Sequence, residues 1–299
     1  MKKTIFKSSD ANVFKFVFEG DDIAVEAVLY RYGTFRKRTV ICCSTQCGCP
    51  VGCTFCGTGR MFVRSLTAEE IVEQIHQVLE EIDCPTSEIE KFQIMFMSMG
   101  EPFLNYTNVA LAIERLHAEY PNAQLLVSTS APKSLNNTIQ WFSRLSKMID
   151  KVGLQFSVHE STDEARKKLI PTETCSLAVI AFLGSLWAAE TGRRPFYNYC
   201  VHEGNDTDED ADRLVSLFHP VVWETTLSVI CQKDESVKSS IDRQLEIISA
   251  FSKKLLDRGA SVRVFNPAGQ DDIGGGCGQL WYFQQWRKNH LKLTQTTNK

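Results

Sequence analysis

The stretch Thr39-Val40-Ile41-Cys42-Cys43-Ser44-Thr45-Gln46-Cys47-Gly48-Cys49-Pro50-Val51-Gly52-Cys53-Thr54-Phe55-Cys56 reads as an apolar strand running into a loop with three thiols at C-x3-C-x2-C spacing. Three cysteines on one short loop are a metal-binding pattern, and soft thiolates suit zinc and iron–sulfur centres alike. A tetrahedral zinc wants a fourth ligand close by, usually from a second C-x2-C or H-x3-H pair. A cubane iron–sulfur cluster accepts three cysteines and leaves its fourth iron open to a small molecule. Ligand type alone leaves both choices open.

Outward from this loop, short apolar runs alternate with amphipathic ones. Thr67 with Glu70 forms a capping-box pattern, and Ile71, Val72, Ile75, Val78, Leu79 and Ile82 follow at helical spacing. Strands are predicted at Thr39–Cys42, Phe92–Met97, Gln124–Val127, Gly153–Val158, Phe196–Val201, Thr225–Ile230 and Val262–Phe265. Helices at Asn108–His117, Leu135–Ile149, Leu177–Ala189, Asp208–Leu217 and Ile241–Leu256 separate them. Six or seven β/α units of this kind make an α/β fold with a parallel sheet, closer to a partial (β/α)6 barrel than to a closed eight-unit one. Val13–Phe18 and Ile23–Tyr32 read instead as antiparallel strands of a small N-terminal lid. The expected division is 1–38 for this β extension, 39–293 for the core and 294–299 for a disordered tail.

At 299 residues the chain can bury one barrel-sized core or two smaller ones, and 43% hydrophobic with 23% charged residues is ordinary for a globular protein. There is no signal-peptide pattern after Lys2 and Lys3, and no run long enough to span a bilayer. A cytoplasmic location is expected, with no membrane partner. Six of the eleven cysteines fall between Cys42 and Cys56, which suits a reducing compartment and metal or thiol chemistry better than a secreted disulfide scaffold. Net charge is −3, so no global charge announces a nucleic-acid partner; the basic group Arg166, Lys167 and Lys168, like the others, reads as solvated surface.

Ligand groups in a parallel barrel gather at the C-terminal ends of strands. Ser98-Met99-Gly100-Glu101-Pro102, Ser128-Thr129-Ser130 and Ser157-Val158-His159 stand at three successive predicted strand ends after the cysteine loop. Each alone is explicable as a turn, a cap or a hydrogen-bonded histidine; the signal is their shared placement. Far downstream, Asp271 to Leu280 is a glycine-rich loop around Cys277, either a mobile accessible thiol or an unreactive one.

Together these motifs resemble the radical S-adenosylmethionine (SAM) RNA adenine methyltransferases, which methylate adenine at carbon 2, with relatives acting at carbon 8. The resemblance runs from about Val13 to Leu280. It is carried by Val25-Glu26-Ala27-Val28, Cys42, Cys49/Cys53/Cys56 with Gly57-Thr58-Gly59, Met97-Ser98-Met99-Gly100-Glu101-Pro102-Phe103-Leu104-Asn105, Ser157-Val158-His159 and Cys277-Gly278-Gln279-Leu280. It implies a 4Fe-4S cluster on Cys49, Cys53 and Cys56, and SAM contacted by Gly100, Glu101, Ser128, Ser157, Val158 and His159. It further implies a methyl group carried on Cys277, Cys42 as the thiol that resolves the protein–RNA adduct, and Glu26 as proton acceptor once extra residues between Tyr30 and Thr39 are allowed for.

The implied partners are RNA (ribosomal, and in some members transfer RNA) and an electron donor such as flavodoxin or ferredoxin. A monomer is expected, and a disulfide bond comes with the two-thiol chemistry. Two departures from the family pattern stand out. The family's extra N-terminal domain is expected to be missing, and its Ile-Pro-Phe-Asn and Thr-Arg-Gly stretches are replaced by Val229-Ile230-Cys231-Gln232 and Asn266-Pro267-Ala268-Gly269. The competing readings are a radical SAM methylase with a different acceptor and a non-enzymatic zinc protein.

Overall fold

The computed structural model describes residues 2–59, 61–229, 238–265, 273–274, 278–280 and 282–288. Among these, the strands are β1 (Lys2–Lys7), β2 (Val13–Glu19), β3 (Ala24–Arg31), β4 (Arg38–Cys43), β5 (Gln46–Gly48), β6 (Phe62–Ser65), β7 (Lys91–Phe96), β8 (Gln124–Thr129), β9 (Val152–Ser157), β10 (Phe196–Val201), β11 (Glu224–Val229) and β12 (Val262–Phe265). The helices are α1 (Ala68–Leu79), α2 (Tyr106–Glu119), α3 (Leu135–Met148), α4 (Asp163–Leu169), α5 (Leu177–Thr191), α6 (Asp208–Leu217) and α7 (Lys238–Asp257).

Ten strands form one sheet in the order β1-β2-β3-β4-β7-β8-β9-β10-β11-β12, parallel from β4 onward. Six helical crossovers join its seven parallel strands, giving the expected six β/α units with one further strand at the end. The first crossover helix starts where the sequence says: Thr67 accepts from the Glu70 N–H while the Glu70 carboxylate accepts from the Thr67 N–H, closing the capping box. Ile71, Val72, Ile75 and Val78 then share its buried face.

The N-terminal strands are no separate lid. β2 and β3 continue the main sheet by antiparallel ladders, with Leu29 opposite Ile41 and Val28 opposite Cys42. Both faces of this part are covered: Phe14, Phe16, Phe18 and Leu29 join the main core, while Val13, Val28, Tyr30 and Cys42 form a second cluster. A ladder flanked by apolar clusters on both sides is bound into the sheet, not hinged over it.

Three elements were not anticipated. β1 is rich in lysine, and α4 is a short charged helix of about two turns capped by Thr162. The third is the small antiparallel pair β5–β6, which brackets the cysteine loop. The tail 294–299 and the stretches at 230–237 and 266–270 lie outside the described residues. Among the described residues no helix is long and apolar enough to cross a membrane.

Candidate active site at the C-terminal strand ends

β5 and β6 clamp the base of the cysteine loop, and the Cys49 N–H donates to the Met61 carbonyl at 2.8 Å to close it. Cys49, Cys53 and Cys56 line one side of a pocket whose other side carries Gly100, Ser128 and Ser157. Glu101, His159 and Gly278 line it as well. Burial pushes the Cys49 thiol up to about 12, so it gives up its proton by binding a metal rather than to water.

The second strand end is built to one shape. Gly100 has φ of 101°, and a Cβ there would lie 2.7 Å from the Gln46 Cβ, so only glycine fits. Glu101 is buried and fully occupied. Its Oε1 accepts from the Thr129 hydroxyl (2.6 Å) and the Phe103 N–H (3.0 Å), its Oε2 from the Ser130 N–H and hydroxyl (both 2.7 Å). Burial nevertheless holds its carboxyl above the usual range, because four neutral donors do not replace bulk water for a charge in the interior.

His159 occupies the left-handed region at φ 64°. Its Nδ1 accepts from the Cys200 N–H at 3.3 Å, which leaves the proton on Nε2, and burial holds its pKa down to about 3. Asn205 fixes this strained corner, donating to the carbonyls of His159 and Cys200 at 3.0 Å each. Val158 is placed differently from its neighbours: it is fully buried in the main core and does not line the pocket.

Arg166 corrects the reading of its basic run. It is 2% exposed, and its guanidinium makes five hydrogen bonds: to the carbonyls of Ser130, Ser157, Val158 and Cys175 and to the Thr174 hydroxyl. Packing α4 against the sheet turns this one side chain inward, where it ties the ends of β8 and β9 together. Sequence reasoning missed it because an Arg-Lys-Lys run carries no mark of which member faces in. Lys167 and Lys168 remain exposed.

A second, smaller pocket adjoins the first and contains Glu26 and Cys42; Met97, Ser98 and Gly278 line both. Glu26 is no exposed strand residue. It pairs with Lys15 at 2.6 Å, the two side chains being 1% and 3% exposed, and its Oε1 accepts from the Phe283 N–H at 2.8 Å. Lys15 also donates to the Gly274 carbonyl at 3.3 Å. Cys42 and Cys43 face opposite ways, as adjacent strand residues must: Cys42 faces this pocket while Cys43 sits in the main core. Cys47 is buried too, directed at the Ala24 carbonyl.

Cys277 lies outside the described residues, but its neighbour Gly278 does not. The Gly57 N–H donates to the Gly278 carbonyl at 2.5 Å, so the segment after Cys277 is docked on the cysteine loop. Gly57 must be glycine for this approach, since a Cβ there would run into the backbone carbonyl of Gln279 and lie 2.9 Å from that of Gly278. No disulfide joins any two of the nine described cysteines, and Cys231 and Cys277 lie outside the described residues; the pair β4 offers, Cys42 and Cys43, points to opposite faces.

Residues 43–179 match the model of the radical SAM superfamily. The chain is 33% identical to a probable dual-specificity RNA methyltransferase RlmN of Heliobacterium modesticaldum, over 87% of this chain and 68% of that one. It is 32% identical to the corresponding protein of Frankia alni, over 87% of this chain and 62% of that one. The chain thus spans about two thirds of the length of these relatives. A radical SAM methyltransferase from Sphaerobacter thermophilus superimposes with a TM-score of 0.72 at 29% identity, covering 93% of this chain and 80% of that one.

The radical SAM family uses a 4Fe-4S cluster and SAM, and the thiol arrangement fits the cluster better than zinc. Among the described residues no three His, Cys, Asp or Glu side chains converge closely enough to hold one ion. A cubane makes no such demand, because each thiolate binds its own iron. With the parallel sheet, the thiol loop and the docked Gly278 segment in place, the chain belongs to the RlmN-type family of radical SAM RNA methyltransferases.

Proposed function

We propose that this chain methylates an aromatic carbon of adenine in RNA, carbon 2 of a ribosomal or transfer RNA base, by way of a methyl group carried on Cys277. One observation carries the reading: Gly278, the residue after Cys277, lines both the thiol pocket and the Glu26–Cys42 pocket.

Cys49, Cys53 and Cys56 would hold the 4Fe-4S cluster. Glu101, with Gly100, Ser128, Ser157 and His159, would surround SAM. When bound, cluster and SAM supply a reductively generated carbon radical that the protein alone cannot make. The chain's own groups do the rest. The Cys277 thiol takes the methyl group, Cys42 resolves the adduct formed with the base, and Glu26 accepts the proton the ring loses. All four lone pairs of Glu101 are engaged, so the ammonium of SAM displaces a hydroxyl donor, Thr129 or Ser130, both of which can rotate away. Neutral His159 presents its Nε2–H to the site. The electron donor is a small redox protein such as flavodoxin or ferredoxin.

The test is peptide mass spectrometry of Cys277 after anaerobic expression with iron, sulfide and SAM. A methyl group on Cys277, lost in Cys277→Ala, is expected; in Cys42→Ala the base stays covalently attached to residue 277. An unmodified Cys277 in brown, cluster-loaded protein would sink the proposal. RNA mass mapping then identifies the acceptor and its carbon.

A further inference from the structure

Beneath the two pockets the described residues do not fill the barrel interior. Barrels of this kind usually pack their inward positions with layers of branched aliphatic side chains. Here the inward positions include Gln93, Gln155, Asn198 and Ser228, and they border a cavity of about 610 Å³. It reaches from Met97 and Asn198, which it shares with the thiol pocket, down to the N-terminal ends of the strands. That volume falls in the range of small-molecule sites, roughly 300–1,000 Å³.

The lower mouth is cationic. Arg38 on β4, Lys91 on β7 and Arg263 on β12 stand around it. Arg38 lies 4.3 Å over the Tyr32 ring and donates to Gln93 Oε1; Arg263 lies 4.8 Å over Phe196. Among the described residues Asp150 is the one acid that lines the cavity; Glu224, at the start of β11, is paired with Arg263 (2.5 Å) and Arg194 (3.5 Å). Lys91 has no carboxylate partner among the described residues. Partial burial, with repulsion from Arg38 and Arg263, holds its ammonium below the ordinary lysine range. Like charges kept together at the mouth of a low-dielectric cleft focus their field on an anion.

We propose that this lumen is a second ligand site, taking a phosphorylated polar molecule of about nucleotide size. Its phosphate sits between Lys91, Arg38 and Arg263, and its body lies along the amides of Gln93, Gln155 and Asn198. The site lies at the opposite end of the barrel from the thiol loop and does not depend on the reaction proposed above.

The test is calorimetric titration of the full, cluster-loaded chain, saturated with SAM so that the upper pocket is filled. The probes are AMP, inorganic phosphate and adenosine. AMP is expected to bind at least tenfold more tightly than phosphate, with adenosine weaker still. Lys91→Met should weaken AMP about tenfold, the loss of one charge-assisted hydrogen bond, and leave SAM binding unchanged, which also reports that the variant is folded. Failure of AMP to bind, AMP binding indifferent to Lys91→Met, or phosphate binding as tightly as AMP would each overturn the proposal.

Discussion

Two buried carboxylates sit in adjoining pockets and are held in opposite ways. Glu101 has four neutral donors and no cation in contact; Glu26 has a lysine ammonium at 2.6 Å and one backbone N–H. The two hydroxyl donors, Thr129 and Ser130, can rotate aside when a cation arrives, so Glu101 is organised as a receptor for positive charge. An ion pair has its cation already, so Glu26 is organised to keep its place beside the segment that leads to Cys277. Lys15 reinforces this by reaching the Gly274 carbonyl from the same ammonium.

The largest way to break that contrast is Lys15→Met. Removing one member of a buried pair leaves the other charge uncompensated, typically costing about 3–5 kcal/mol. Denaturant unfolding should show a loss of that size, and Lys15→Met with Glu26→Leu should recover part of it. A double variant no more stable than the single one would mean that the pair is not what holds this corner.

Glu101→Gln tests the other carboxylate. An amide keeps one acceptor oxygen but turns an NH2 group toward two of the four donors, leaving buried donors unpaired at about 1–3 kcal/mol. Stability should fall by about 2 kcal/mol. SAM affinity should fall as well, since the amide cannot take an ammonium. Thr129→Val separates the two effects: it removes one rotating donor, costs about 1 kcal/mol, and should leave SAM binding intact. Loss of SAM affinity in Thr129→Val equal to that in Glu101→Gln would argue that the cradle, not the charge, binds SAM.

What the sequence makes readable follows from where each constraint is local. The α1 capping box, the thiol loop and the strand-end glycine turn are written in consecutive residues, and each has its expected position in the fold. Lys15 and Arg166 were missed for the converse reason. Lys15 stands in Phe14-Lys15-Phe16, an alternation that normally marks a solvent-facing side chain. It is buried beside Gly274, whose carbonyl it reaches, and Phe283, whose N–H meets Glu26 from 257 residues away. Arg166 acquires its five partners only when β8, β9 and the 174–175 segment come together. The polar lumen is illegible in the same way, since Gln93 within Phe92-Gln93-Ile94 reads as part of a buried strand until the sheet curves round it.

The smallest effect sharpens the comparison between neutral and ionic devices at one corner. His159 and His202 stand on neighbouring strand ends and titrate in opposite senses. Burial holds His159 down to about 3, so between pH 6.5 and 3 the unfolded chain binds a proton that the folded one refuses; stability contributed by this site is present above pH 6.5 and lost as pH falls. His202 is raised instead, first by its hydrogen bond to the buried Glu160 at 2.8 Å. Its contribution is complete below pH 6.5 and is lost as pH rises through its folded value. Because His202 is partly exposed, that contribution should be about 0.5 kcal/mol. Thermal unfolding across pH 5–8 should show His202→Gln flattening the decline on the alkaline side, while His159→Gln flattens the acid side. If His202→Gln changed the acid side instead, Glu160 would be acting through His159 and the two strand ends would be one coupled unit.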